Sequence, residues 1–229
     1  MQLLFLGTSS TLGFPREGCR CPQCRSRDPK DHRTRSAALI NREILIDAGP
    51  DILAQLQREK ISPQQIKIVF LTHRHQDASG GLKKLKAQNP QLKVVSPRAQ
   101  KIKFNSVRIQ SFRVPHARIP TVGFLISSIS SPQKTICYIS DTKNLKRSVK
   151  YLRQAKIAVI DGSGWETTYP SHITIKEAIP VLKPLKNLQK TYFTHNGHTH
   201  IPHRKLVQKI RRLADKRFDV AYDGLKIEV

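Results

Sequence analysis

His73, His75 and Asp77 stand at alternating positions in Leu71-Thr72-His73-Arg74-His75-Gln76-Asp77-Ala78-Ser79-Gly80-Gly81, directly after the apolar run Ile68-Val69-Phe70. Imidazole and carboxylate together suit zinc, manganese or iron(II). In extended backbone, alternate side chains point the same way, so both histidines can reach one ion. A lone His-x-His is a weak signal, because surface histidines are common. Company at other strand ends strengthens it. His116 follows Phe112-Arg113-Val114-Pro115, Asp141 follows Cys137-Tyr138-Ile139-Ser140, and His195 follows Thr191-Tyr192-Phe193-Thr194. Each alone reads as readily as a capping aspartate or a solvated histidine. Four such positions in one chain form a set, since open sheets gather their functional groups at strand ends.

A second cluster is made of thiols. Three of the four cysteines lie in Cys19-Arg20-Cys21-Pro22-Gln23-Cys24. Spacing this tight is a poor disulfide framework and a good thiolate metal site. A tetrahedral zinc site needs a fourth ligand, and three reduced thiols without metal are the competing reading. Cys137 falls in the apolar run Thr135-Ile136-Cys137-Tyr138-Ile139 and reads as a buried strand residue. Arg33 and Arg35 follow the thiol cluster; guanidinium forks suit phosphate, although a solvated basic loop explains them as well.

The elements that must position these groups are short apolar runs alternating with Lys-rich amphipathic segments. Strands are expected at Gln2–Gly7, Ala37–Asn41, Glu43–Asp47, Ile66–Thr72, Leu92–Ser96, Val107–Val114, Thr121–Ser127, Thr135–Ser140, Ile157–Asp161, Lys190–Thr194 and Leu225–Val229. Asn41-Arg42 reads as a hairpin turn. Helices are expected to begin near Pro50, Gly81, Leu145, Thr174 and Pro202. The Thr174 segment carries a capping-box pattern to Glu177, with Pro180 limiting or bending it. Strands mixed with helices suggest a layered α/β fold with mixed sheets, and residues 1–229 are read as one domain.

The 229 residues carry 41 lysines and arginines against 16 acids, a formal net charge of +25. The charge is spread along the chain, which favours a basic face over a disordered arm. Solubility accounts for it as well as an anionic partner does. Lys83, Lys84 and Lys86, and then Arg211, Arg212, Lys216 and Arg217, read first as solvated faces. They still exceed what a small phosphate ester needs. No apolar stretch is long enough to span a membrane, and Met1–Leu6 is too short for a signal segment, so a cytoplasmic protein is expected.

The order of these residues resembles the metallo-β-lactamase superfamily, whose hallmark is His-x-His-x-Asp-His followed by His, Asp and His at later strand ends. Within it the chain looks like the phosphoribosyl cyclic phosphate phosphodiesterase branch. The supporting segments are Leu6-Gly7-Thr8-Ser9-Ser10, Gly18 through Cys24, His32-Arg33-Thr34-Arg35, Leu45-Ile46-Asp47-Ala48-Gly49, Leu71-Thr72-His73, Ser140-Asp141-Thr142, Thr194-His195-Asn196-Gly197-His198 and Asp223-Gly224. The resemblance implies an αββα sandwich of two mixed β-sheets flanked by helices. It implies that His73, His75 and His116 hold a first ion, and that Asp77, Asp141 and His195 hold a second, with Asp141 bridging. Asp47 would orient a ligand or the water from behind. His198 would complete a structural zinc site with Cys19, Cys21 and Cys24. His172, in the loop from Gly162 before a helix, would serve the leaving group as general acid. A solvent-facing histidine is the equal alternative. Trp165 and Tyr169 either wall the pocket or pack within the loop.

The departure is Ala78, which stands where the motif places its last histidine. His200 or His203 could replace that ligand. The expected activity is hydrolysis of a small cyclic or linear phosphodiester by one or two zinc or manganese ions holding a hydroxide, with the first ion tight and the second weak. A nuclease of the same fold ranks second. A non-catalytic phosphate-ligand-binding protein with a degraded second site is the third reading. The expected partners are a small phosphorylated substrate and, from the charge, nucleic acid, with a second copy of the chain as a further candidate.

Overall fold

The apolar runs form two stacked sheets. The computed structural model describes residues 1–167 and 169–229; Thr168, inside the Gly162–His172 loop, lies outside the described residues. The first sheet is built from β1 (Gln2–Gly7), β2 (Ala37–Ile40), β3 (Ile44–Ile46), β4 (Ile68–Phe70), β5 (Lys93–Val95) and β13 (Lys226–Glu228), in the order β13-β1-β2-β3-β4-β5. The second is built from β6 (Gln100–Phe104), β7 (Val107–Arg113), β8 (Val122–Ser128), β9 (Thr135–Ile139), β10 (Ile157–Asp161), β11 (Lys190–Thr194) and β12 (Phe218–Val220), in the order β12 through β6. The helices are α1 (Ile52–Arg58), α2 (Gln76–Ser79), α3 (Leu82–Gln88), α4 (Val149–Leu152), α5 (Ile175–Leu182) and α6 (His203–Leu213). No helix among the described residues is long and apolar enough to cross a membrane.

Side-chain alternation assigns the layers. Leu3 and Phe5 of β1 face the second sheet, where they share a core with Phe124, Ile136, Tyr138 and Val159. Leu4 and Leu6 point the other way, into a core with Ile52 and Leu56 of α1 and Leu85 of α3. Behind the second sheet, Ile139, Ala158, Ile160 and Phe193 pack on Leu152 of α4, Ile179 of α5 and Ile210 of α6. Both faces of both sheets are therefore covered at their centres. That is why the central strands read as unbroken apolar runs, while β6 and β7 at one end of the second sheet alternate. The result is the expected αββα order of two mixed sheets.

Two strands were not expected from the sequence. β6 reads Gln-Lys-Ile-Lys-Phe and β12 spans only Phe-Asp-Val; both are sheet edges, where lysine and short length protect open hydrogen-bonding groups. The hairpin at Asn41-Arg42 forms as expected, with φ of 48° and 63°. Thr174 caps α5 reciprocally with Glu177, and the helix runs two residues past Pro180 before it ends.

The register sets the site. β3 and β4 are parallel neighbours, Ile46 opposite Phe70, so Asp47 and Thr72-His73 leave the same sheet edge. In the other sheet β9, β10 and β11 run parallel, with Ile139 opposite Ile160 and Asp161 opposite Thr194. Asp141, Asp161 and His195 therefore emerge side by side. The Val122 N–H donates to the Thr72 carbonyl at 2.9 Å, tying the two sheets together at this end.

Candidate metal centre

The imidazoles of His73, His75 and His116 stand edge-on around one point, with ring centroids 4.7 to 5.3 Å apart. Their ligand atoms fall close enough together for one ion. His73 and His116 are buried and His75 is exposed at the mouth. On the other side, His195 Nε2 lies 3.2 Å from Asp141 Oδ1 and 3.5 Å from Asp77 Oδ2. His73 Nε2 is 4.0 Å from Asp77 Oδ1. All six expected ligands thus converge on one cleft.

Hydrogen bonds behind the ligands fix which nitrogen faces inward. Thr72 Oγ1 donates to Asp47 Oδ2 at 2.7 Å, so it accepts from His73 Nδ1 at 2.8 Å. The Thr72 N–H donates to Asp47 Oδ1 at 2.8 Å, which completes the clamp. His116 Nδ1 donates to the Ser171 carbonyl at 3.0 Å. Ser163 Oγ donates to Asp161 Oδ1 at 2.6 Å and accepts from His195 Nδ1 at 3.0 Å. Ser140 Oγ donates to Asp141 Oδ2 at 2.6 Å. What remains turned inward is Nε2 of His73 and of His116, buried and without a partner, and His195 Nε2 and Asp141 Oδ1, buried and facing one another at 3.2 Å. Orphaned buried polar atoms are costly, and inward-facing imidazole nitrogens beside carboxylate oxygens fit bound cations.

The charge balance agrees. Burial raises Asp141, but His195, His73 and His116 outweigh it and hold the carboxyl well below the usual range. Burial pulls His73 down to about 4 and lowers His116, so both imidazoles are neutral at pH 7, as metal binding would need. Burial alone would lower His195 too, yet Asp141 and then Asp77 push it up to about 10. The carboxylates demand a positive charge at that nitrogen, and a metal ion can take the proton's place. Asp47, fully buried, is pushed well above the carboxylate range.

His172 belongs to this cleft. Its ring stacks on His195 at 5.0 Å and meets His116 edge-on at 4.7 Å. Its Nδ1 donates to Asp161 Oδ2 at 2.8 Å. Asp161, which the sequence offers only as a strand end, is fully buried and also accepts from the Thr142 and Ser163 N–H groups. Lys143 Nζ donates to the Tyr169 and His172 carbonyls and so steadies the loop. Tyr169 stands at the mouth, edge-on to His172 at 6.4 Å.

The thiol cluster also closes. His198 Nε2 lies 3.5, 3.2 and 3.3 Å from the Sγ atoms of Cys19, Cys21 and Cys24. With Zn–S near 2.3 Å and Zn–N near 2.0 Å, the S···N edge of a zinc tetrahedron is about 3.5 Å. The donor set fits that ion.

Several expectations are corrected. Arg33 is not a phosphate ligand: it is buried, donating to Thr8 Oγ1, the Ala221 carbonyl and His203 Nδ1. Arg35 is tied to Asp51 Oδ1 at 2.8 Å and the Thr11 carbonyl at 2.7 Å, so its fork is committed within the chain. Trp165 is buried in the core behind the second sheet and does not wall the cleft. His200 stacks on His198 and His203 is held by Arg33, so neither replaces the imidazole missing at Ala78. Ala78 itself is buried and lines the cleft beside Asp77, Asp141 and His195. Arg211 and Arg217 pair with Asp219 and Asp215, as solvated faces do.

Residues 42–102 and 93–196 match the family model of a beta-lactamase superfamily domain. A solved diphosphatase of the PhnP family superposes on 100% of this chain and 96% of its own, with a TM-score of 0.83 and 25% identity. Zn²⁺-bound PqqB from Methylobacterium extorquens covers 100% of both chains at a TM-score of 0.83 and 19% identity. The short form of human tRNase Z covers 100% of this chain and 99% of its own at a TM-score of 0.67 and 17% identity. An octanoyltransferase from Porphyromonas gingivalis is 26% identical over 265 residues, which is 99% of this chain and 51% of that protein. The chain therefore spans about half the length of that relative. From the matched segments, the shared sandwich and the converging ligands together, the chain belongs to the metallo-β-lactamase superfamily.

Proposed function

We propose that the protein is a metal-dependent hydrolase of phosphodiester bonds. The observation that carries this is the set of buried, inward-facing atoms, Nε2 of His73, His116 and His195 with Oδ1 of Asp141, beside a histidine held by a carboxylate. The likeness to a PhnP-family diphosphatase supports phosphorus chemistry. His73, His75 and His116 would hold one divalent ion, and Asp77, Asp141 and His195 a second, with zinc and manganese the candidates. Bound there, such ions supply Lewis-acid polarisation of the phosphoryl oxygens and lower the pKa of the attacking water.

The chain's own residues do the rest. Asp47, through Thr72, keeps the His73 Nδ1 proton facing away from the cleft, and Ser163 does the same for His195. His172, protonated, gives the Nε2 proton to the leaving oxygen, while Asp161 Oδ2 holds the Nδ1–H and stabilises the imidazolium. Ala78 leaves the second ligand set one imidazole short, so the second ion binds more weakly. The thiol cluster with His198 takes one structural zinc and pins the loop that carries His195.

Titration of manganese or zinc against hydrolysis of bis(p-nitrophenyl) phosphate tests the reading. Turnover is expected to rise with added metal and saturate. Absence of turnover at every metal level favours the binding-protein reading instead. Elemental analysis of protein purified without added metal is expected to show at least one zinc, lost in Cys21→Ser.

A further inference from the structure

Between Asp77 and Asp161 the chain has seventeen lysines and arginines and a single acid, Asp141, which is a metal-ligand candidate. Part of that charge is concentrated. The loop between β7 and β8 carries His116, and the loop after β9 carries Asp141. The two are joined where the Lys143 N–H donates to the Pro115 carbonyl at 2.6 Å. Their outer surfaces form one wall each of a cleft lined by Arg113, Arg118, Lys146 and Arg147. A second cleft shares Arg113, Lys146 and Arg147 and adds Lys150, Phe112 and Tyr151. The two make one continuous groove with five exposed cations.

None of the five makes a salt bridge or a side-chain hydrogen bond among the described residues. Unpaired cations are common on this surface, where only Arg35, Arg58, Lys176, Arg211 and Arg217 have carboxylate partners among the described residues; the groove is set apart by its two adjoining clefts, which share three of its five cations. Five like charges around one groove add their potentials and favour an extended anion there. The groove also holds an aromatic face. Tyr151 is half-buried, stacks on Phe112 at 3.8 Å, and has Lys150 Nζ 5.1 Å from its ring centroid. A cationic track with an aromatic platform is how sequence-tolerant proteins hold single strands. The exposed large apolar side chains, Leu12, Ile129, Tyr169 and Leu213, lie outside the groove, so it lacks the wedge of a lipid-inserting surface.

We infer that this groove binds the sugar–phosphate backbone of a single-stranded nucleic acid and leads it into the cleft through the two loops that carry His116 and Asp141. This deepens the proposed phosphodiester hydrolysis and rests on it for the fate of the strand, but not for the binding itself.

The test is fluorescence anisotropy of a fluorescein-labelled phosphorothioate oligothymidylate, which resists cleavage, with the full chain over a salt series. Affinity is expected to fall steeply with salt. The variant R113Q/K146Q/R147Q is expected to weaken binding by at least about tenfold and to flatten the salt slope by about 2, at about 0.7 for each phosphate no longer neutralised. R118Q/K150Q, with different groove charges removed, is expected to lose a smaller part. K83Q/K84Q/K86Q removes equal charge from α3, on the outer side of the other sheet, and is expected to bind as the unmodified protein does. Equal weakening by both triple variants would show diffuse net charge only and overturn the proposal. So would absence of binding at low salt. Binding to phosphatidylserine vesicles that the groove variants abolish, with oligonucleotide binding unaffected, would show a membrane surface instead. Failure of bis(p-nitrophenyl) phosphate hydrolysis, with groove-dependent binding intact, would refute the hydrolase reading and leave the groove standing.

Discussion

A histidine can offer Nε2 to a metal only if something else takes the proton at Nδ1. Here three different partners do so: Thr72 for His73, the Ser171 carbonyl for His116 and Ser163 for His195. Asp161 joins two of the cleft's histidines, reaching His195 through Ser163 and His172 directly. Asp161→Asn is therefore expected to lower kcat by on the order of a hundredfold, with KM nearly unchanged. The loss should be larger for an alkyl phosphodiester than for a p-nitrophenyl ester, because p-nitrophenolate leaves without a proton. Steady-state kinetics on the pair of esters checks it; equal losses would remove His172 from the general-acid role. Ala78→His restores the missing imidazole and is expected to tighten the second ion by at least on the order of tenfold, read by calorimetric metal titration.

At the scale of elements, the ligand loops are held by close backbone approach. A Cβ at Gly197 would meet the Ser163 carbonyl oxygen, and a Cβ at Gly49 would meet the Asp77 carbonyl. Gly197 lies between His195 and His198, so one residue keeps both histidines of that loop, each a ligand candidate, against Ser163. His195 itself has φ of 53°, a left-handed conformation costly for a histidine unless the surroundings enforce it. Gly197→Ala is expected to destabilise the fold by about 2 kcal/mol or more and to reduce zinc content. Urea unfolding and elemental analysis read the two effects separately.

At the scale of the molecule, the buried Arg33 ties segments far apart in sequence, Thr8, Ala221 and His203. Burial brings Arg33 down to about 10, so it stays charged at pH 7. Its guanidinium donates to His203 Nδ1, which must be neutral to accept. Burial, and then Arg33, push His203 from 6.5 down to about 4. Between those values the unfolded chain binds the proton and the folded chain does not. Stability from this group is therefore whole above pH 6.5 and is lost as pH falls towards 4, by on the order of 3 kcal/mol. Urea unfolding at pH 7 and pH 4.5 is expected to show that loss, with a flatter profile in His203→Gln. An unchanged profile would mean that other groups set the acid limb.

The sequence by itself determined the layer order and the six ligand candidates that the cleft brings together. Apolar runs of strand length specify buried sheets, and a ligand that follows such a run is carried to a sheet edge wherever the strand goes. It also determined the Cys19, Cys21, Cys24 and His198 set, once the resemblance supplied the histidine 174 residues beyond Cys24. Only the tertiary structure decided what stands behind those ligands. Thr72 and Ser163 act through hydrogen bonds that cross to a neighbouring strand, Thr72 to Asp47 and Ser163 to His195, and no local spacing encodes a parallel register. The same reason removed Arg33 from the phosphate site: an arginine in a basic loop reads as exposed until the chain's two ends close over it. The groove of Arg113, Arg118, Lys146, Arg147 and Lys150 was likewise invisible along the chain, because its walls are two loops about thirty residues apart, brought together by strand pairing through β8 and β9.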